Sequence, residues 1–201
     1  MSFAMLQLGS VGKETYVEAT DMLMSEHRLI ERALDAMGAW ITTLGAGSES
    51  DDKAELARFV SFIQGFADAY HHGKEEDILF VAMGEHGMPR HAGPVAVMLH
   101  EHDLGRSLVR VLDGLARQSA TWTKEDRDTL GRTVHEFSGL LRQHIRKEDQ
   151  VLYPMADARL PASVKEEMFR QFQAFEEQQT RSGEQQRLRA LGNALIEAHA
   201  P

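Results

Sequence analysis

The chain has 201 residues, 42% hydrophobic and 26% charged, with a formal net charge of −9. These are the proportions of a soluble globular protein of one domain, or one domain with an appendage. The acidic balance argues against non-specific nucleic-acid binding, which needs a basic face. The absence of cysteine excludes disulfides, thiolate metal sites, iron–sulfur clusters and a cysteine nucleophile together.

Residues 1–19 read as a lead-in, with a helical pattern beginning from about residue 14. They lack the basic start and continuous apolar core of a signal peptide. No apolar run is long enough to span a bilayer, so no membrane association is expected and the cytoplasm is the expected location. Leu23, His27, Ile30, Leu34, Met37 and Ile41 make one stripe at helical spacing, stopped by Gly45-Ala46-Gly47-Ser48. Ser50-Asp51-Asp52 offers N-caps for a second helix, whose apolar face runs from Leu56 through Phe59, Val60, Ile63, Phe66, Ala67 and Tyr70 to His71. It fades near Met83-Gly84, and Glu85 to Pro94 reads as a loop.

Pro94 suits the first turn of a third helix. Val95, Met98, Leu99, His102 and Val109 share one side of it, while Leu104, Leu108, Val111 and Leu115 form a second, predicting burial on two sides. Thr123 and Asp126 form a capping-box start for a fourth helix, which carries Leu130, Val134, Phe137, Leu141, His144, Glu148, Val151 and Leu152 on one stripe. Pro161 opens a further helical stretch interrupted near Ser182-Gly183, with Leu188, Leu191, Leu195 and Ile196 on one side. Nothing alternates as a strand does. The expectation is an all-α fold: an up-down-up-down four-helix bundle over residues 20–158 and an additional C-terminal helical segment over 159–201. That segment is expected to pack on the bundle or to join two copies as a homodimer.

The chain repeats itself. His71-His72-Gly73-Lys74-Glu75-Glu76-Asp77-Ile78-Leu79-Phe80 aligns without gaps on His144-Ile145-Arg146-Lys147-Glu148-Asp149-Gln150-Val151-Leu152-Tyr153, matching at His71/His144, Lys74/Lys147, Glu75/Glu148 and Leu79/Leu152. Each copy follows a Glu-His pair, Glu26-His27 and Glu101-His102, at separations of 44 residues (His27 to His71) and 42 residues (His102 to His144). Two αα-hairpins of one design account for this. Residues four apart share a helix face, so each hairpin aims an imidazole and a carboxylate at one point.

A single His-x-x-x-Glu on a helix is ordinarily a surface pair; the duplication is what argues for a site. Helical phase puts His27, His71, Glu75, His102, His144 and Glu148 inside the bundle and sets His72 on a polar side. Unpaired carboxylates there would face a large desolvation penalty and would repel each other. Two cations remove both problems. Four imidazoles and two carboxylates without sulfur suit iron first, with manganese and zinc behind it. With both glutamates bridging, each octahedral ion keeps two free positions, one for a shared oxide or hydroxide and one for O2, peroxide or NO.

The phrases SEHRLIERAL, FADAYHHGKEEDILF, GPVAVMLHEHDLGR and LLRQHIRKEDQVLYP, in this order and spacing, resemble the hemerythrin-like proteins of the HHE cation-binding group over residues 20–158. The resemblance implies a four-helix bundle with a non-haem di-iron centre held by His27, His71, Glu75, His102, His144 and Glu148. Oxygen-carrier hemerythrins have five histidines, and the fifth has no clear equivalent here; His72 and His100 are the spare candidates. The two symmetric His-x-x-x-Glu motifs look more like the bacterial and regulatory relatives. Two functions follow: reaction with a small oxidant, or metal and oxygen sensing or iron storage acting through a protein partner. Lys74, Lys147 and Arg146 read as solvated charges, and Tyr70 and Tyr153 as core packing.

Overall fold

The computed structural model describes residues 19–45 and 51–200. Apart from Ala19, the expected lead-in lies outside the described residues, as does the onset of the first helical pattern. Six helices and no strand occur among the described residues. They are α1 (Ala19–Gly45), α2 (53–85), α3 (Gly93–Arg117), α4 (124–159), α5 (Ala162–Arg181) and α6 (Glu184–Ala198).

Local chemistry sets most boundaries. Asp52 caps α2 by accepting from the Glu55 N–H at 3.1 Å. Pro94 lies in the first turn of α3. Thr123 and Asp126 form the reciprocal capping box that starts α4. Gly183, at φ 75°, takes the left-handed conformation that separates α5 from α6. α4 runs through Pro154 to Arg159 because the proline falls in the first turn of the α-helical segment resuming after Leu152, where a missing N–H is tolerated.

α1 packs on α4, α4 on α3, and α3 on α2. The circuit between α1 and α2 is filled by α6, which contacts both. Leu188 and Leu195 are buried there, and Gly192 lies against Phe62 so closely that an added Cβ would stand 2.5 Å from the ring. α5 adds the buried Met168 and Phe172. The C-terminal segment therefore turns its apolar side onto its own bundle. In α3 the second apolar row expected is split: Leu115 is buried and Leu108 packs partly buried against the core, while Leu104 and Val111 are 43% and 42% exposed. Those two face outward because α2 and α4 leave that strip of the helix uncovered and α6 lies elsewhere.

The core is divided. One apolar cluster gathers around Trp40, Phe59, Phe66 and Phe137, and another around Leu23, Phe80, Met98 and Phe172. Between them lies a layer of buried polar side chains, including Glu26, His27, His71, His72, Lys74, Glu75, His102, His144 and Glu148. No helix of the described residues is long and apolar enough to cross a membrane.

Candidate metal centre

The polar layer coincides with departures from α-helical winding. In α2, Ile63–His72 and Glu75–Leu79 are π-helical; in α4, Glu148–Leu152 is. A π turn closes its hydrogen bond one residue later than an α turn and occurs frequently at functional sites. Each residue therefore turns through a smaller angle, and neighbours can share a face. Over the ten residues Ile63–His72 this brings both His71 and His72 inward, although α-helical phase sends His72 to the polar side.

All six residues expected at the site meet there, and His72 joins them. The donor atoms form two buried sets, one of His27, His71, Glu75 and Glu148, the other of His72, Glu75, His102 and His144; within each, all lie within 4.8 Å of one another. Glu75 belongs to both. Glu148 belongs to the first, and its Oε1 stands 3.1 Å from His144 Nε2 of the second. Nε2 of His102 and Nε2 of His144 are 3.0 Å apart. Two nitrogens about 2.1 Å from one ion and at right angles lie about 3.0 Å apart.

Every histidine of the two sets has its Nδ1 against a carboxylate. The partners are Asp149 for His27 (2.7 Å), Glu26 for His71 (2.9 Å), Asp68 for His72 (3.3 Å), Glu76 for His102 (2.7 Å) and Glu101 for His144 (2.9 Å). A carboxylate at Nδ1 holds the proton on that nitrogen and leaves Nε2 with a lone pair for a cation. These partners repeat the duplication. Within each hairpin, the residue before the first histidine, Glu26 or Glu101, supports the second histidine and binds the repeat's lysine, Lys74 or Lys147. Across hairpins, the residue after each glutamate, Asp149 or Glu76, supports the other hairpin's first histidine and is held by Arg28 or Arg106.

Oε2 of Glu75 and both oxygens of Glu148 are buried without a hydrogen bond. The nearest imidazole nitrogens stand 3.1 to 3.7 Å away. Buried carboxylate oxygens left without a donor are costly. Cations at the two sets would satisfy them. Without them, burial and then the neighbouring Glu148 push Glu75 well above the carboxylate range. Burial also works to raise Glu148, but His144 and His27 outweigh it and hold it well below. Burial opposes charge on His27 and His144 too, yet the carboxylates raise them to about 9 and about 10. Burial and then neighbouring imidazoles drive His71 well down and His72 to about 3. A cation at either set would compete with protons for these donors.

The hemerythrin HHE cation binding domain model matches residues 18–156. The chain belongs to the hemerythrin HHE cation-binding family. It is 27% identical over 142 residues to the uncharacterized protein Rv1995 of Mycobacterium tuberculosis and, equally, to the uncharacterized protein Mb2018 of Mycobacterium bovis. The matches cover 71% of this chain and 54% of those proteins, so the chain spans about half the length of the curated relatives it matches. No solved structure gives a significant match.

As a hemerythrin HHE domain, the chain departs from its sequence reading at three places. A fifth histidine lies at the centre: His72 is buried, belongs to the second donor set and stacks on His102 at 3.8 Å between ring centroids. The other spare, His100, is exposed. Lys74 is wholly buried rather than solvated, because Glu26 binds it from α1, Glu176 binds it from α5 at 3.1 Å, and the Tyr70 ring covers it at 4.3 Å. Tyr153 packs on His27 as a core aromatic and also donates to Glu75 Oε1 at 2.5 Å. The sequence signal for His72 was Asp68 four residues earlier, a ready partner for Nδ1.

A cavity of about 210 Å³ opens beside the second set, lined by His72, His102 and His144 at its inner end and by Gln64 and Arg110 among the polar residues. It touches no other donor of the two sets.

Proposed function

We propose that this hemerythrin HHE protein holds two non-haem iron ions, one at each donor set, and uses them on a small oxidant: O2, peroxide or NO. The observation that carries the reading is the pair of buried sets sharing Glu75, with carboxylate oxygens that no donor satisfies. The donors are nitrogen and oxygen only, the preference of iron, manganese and zinc rather than of thiolate-bound metals. Bound iron would supply redox chemistry and positive charge to an oxidant. The chain's own residues do the rest. Asp149, Glu26, Asp68, Glu76 and Glu101 fix the orientation of the five imidazoles. Tyr153 holds a proton against Glu75. The two apolar clusters on either side limit water. A shared oxide or hydroxide would complete the pair, and the cavity beside His72, His102 and His144 is the route for an incoming molecule.

The test is elemental analysis after anaerobic iron loading, with two iron ions per chain expected; a value well below two counts against the reading. Rapid mixing with peroxide or NO then separates turnover from a single stoichiometric change. The second outcome would favour sensing, which one contact supports: Glu176 of α5 reaches Lys74, Lys74 binds Glu26, and Glu26 binds His71. The C-terminal helices are therefore joined to a donor by three polar contacts. A homodimer through those helices, and location in the cytoplasm, remain parts of this proposal.

A further inference from the structure

Resting on the oxidant reading, we propose that the preferred substrate is an organic hydroperoxide, ROOH, whose apolar body is about the size of a substituted benzene ring and fills the cavity between α2, α3 and α4. The cavity measures about 210 Å³. An apolar cavity of about 150 Å³ takes benzene, whereas one water claims about 30 Å³ of liquid. A diatomic molecule or hydrogen peroxide would leave most of this space unfilled. Its walls include Ile63, Ala67, Val109, Phe137 and Leu141, all apolar, and its inner end is made of His72, His102 and His144.

The lining charges are largely spoken for. Asp68 pairs with Arg106 and His72, and Glu101 with His144 and Lys147. Arg110 is exposed and donates to Ser107 at the rim. A long apolar wall with polarity at the histidine end fits a neutral molecule whose only polar group is a terminal –OOH. In the reaction the O–O bond breaks, and ROOH takes up two electrons and two protons to give ROH and water. The electrons come from a soluble one-electron donor, two equivalents per turnover.

The experiment uses the iron-loaded full chain with cumene hydroperoxide and hydrogen peroxide, with ascorbate as donor. Binding of the product alcohol, 2-phenyl-2-propanol, is followed separately by methyl NMR. We expect kcat/KM at least tenfold higher for cumene hydroperoxide, and saturable alcohol-induced shifts at the methyls of Ile63, Val109 and Leu141. Gly105 lines the cavity, and an added Cβ meets only Phe137, at 3.7 Å. Gly105→Leu therefore fills the space without a backbone clash, and leucine favours the helix. It should cut the preference at least tenfold and abolish the shifts; Ala67→Leu, from the facing helix, should do the same. Turnover of hydrogen peroxide without preference for cumene hydroperoxide, or a preference that both variants leave intact, overturns this inference alone. Turnover of neither peroxide overturns it together with the reading beneath it.

Discussion

Replacing Lys74 with methionine isolates what a buried ion pair contributes to the centre. The Lys74 side chain is 0% exposed and its partner Glu26 is 1% exposed. Removing one member of such a pair leaves the other as an unmatched buried charge, which costs about 3–5 kcal/mol. Arg189, at 3.8 Å, is the other cation close to Glu26 and recovers only part of this. The duplication supplies the control. Lys147 makes the same contact to Glu101, but with 41% and 13% exposure, and exposed pairs contribute about 0–1 kcal/mol. Urea unfolding of the metal-free protein should therefore show Lys74→Met less stable than Lys147→Met by at least about 2 kcal/mol. Burial already raises the Glu26 pKa, with Lys74 the chief force opposing it; without Lys74 it rises further. A carboxyl raised in the folded state loses stability as pH climbs through its folded value. The Lys74→Met deficit should thus grow from acid toward neutral pH, and Glu26→Gln added to it should restore part of the loss. Equal stabilities for the two lysine variants would refute the reasoning.

Glu75 serves both donor sets, so Glu75→Ala should bring iron below one ion per chain, while Glu148→Ala should lose most of one ion; unchanged stoichiometry by elemental analysis would contradict either assignment. His72→Gln should weaken one of the two iron-binding steps in a titration and leave the other. Gly192→Val drives its side chain into the Phe62 ring, already 2.5 Å from a Cβ, and should cost about 1–3 kcal/mol, seen as faster amide exchange across Glu184–Ala198. Burial opposes ionisation of Asp68 and Glu76, but hydrogen bonds from His72 or His102 and from Arg106 hold both down at about 2. Their stabilisation is present above the unfolded values near 4 and is lost as pH falls toward 2. Arg106→Leu should accordingly flatten the acid limb of the stability profile measured by denaturant unfolding.

The duplicated motif made most of this centre readable in the sequence. His71 and His144, and Glu75 and Glu148, recur in one frame, and helical phase pointed each inward. The same tool missed His72, because phase counting assumes uniform α winding and Ile63–His72 is π-helical. The other repeat has Ile145 at that position and α winding there, so the alignment offered no correction. Lys74 was misjudged for a different reason: it is buried by Glu176 and Phe172, from a segment far along the chain whose docking no local pattern encodes. Caps, breaks and the apolar faces of α1, α2 and α4 were local and were legible. Which side of α3 stayed bare depended on where the tail came to rest.

The two halves of the centre are unequal in their access to solvent. The cavity reaches His72, His102 and His144, while α5 and α6 close over the side of His71 through Lys74 and Glu26. If ions are carried at both sets, the one beside the cavity is the more accessible to a chelator and should leave first. Chelation would proceed in two phases, and a mixed-metal centre could be assembled by timing alone.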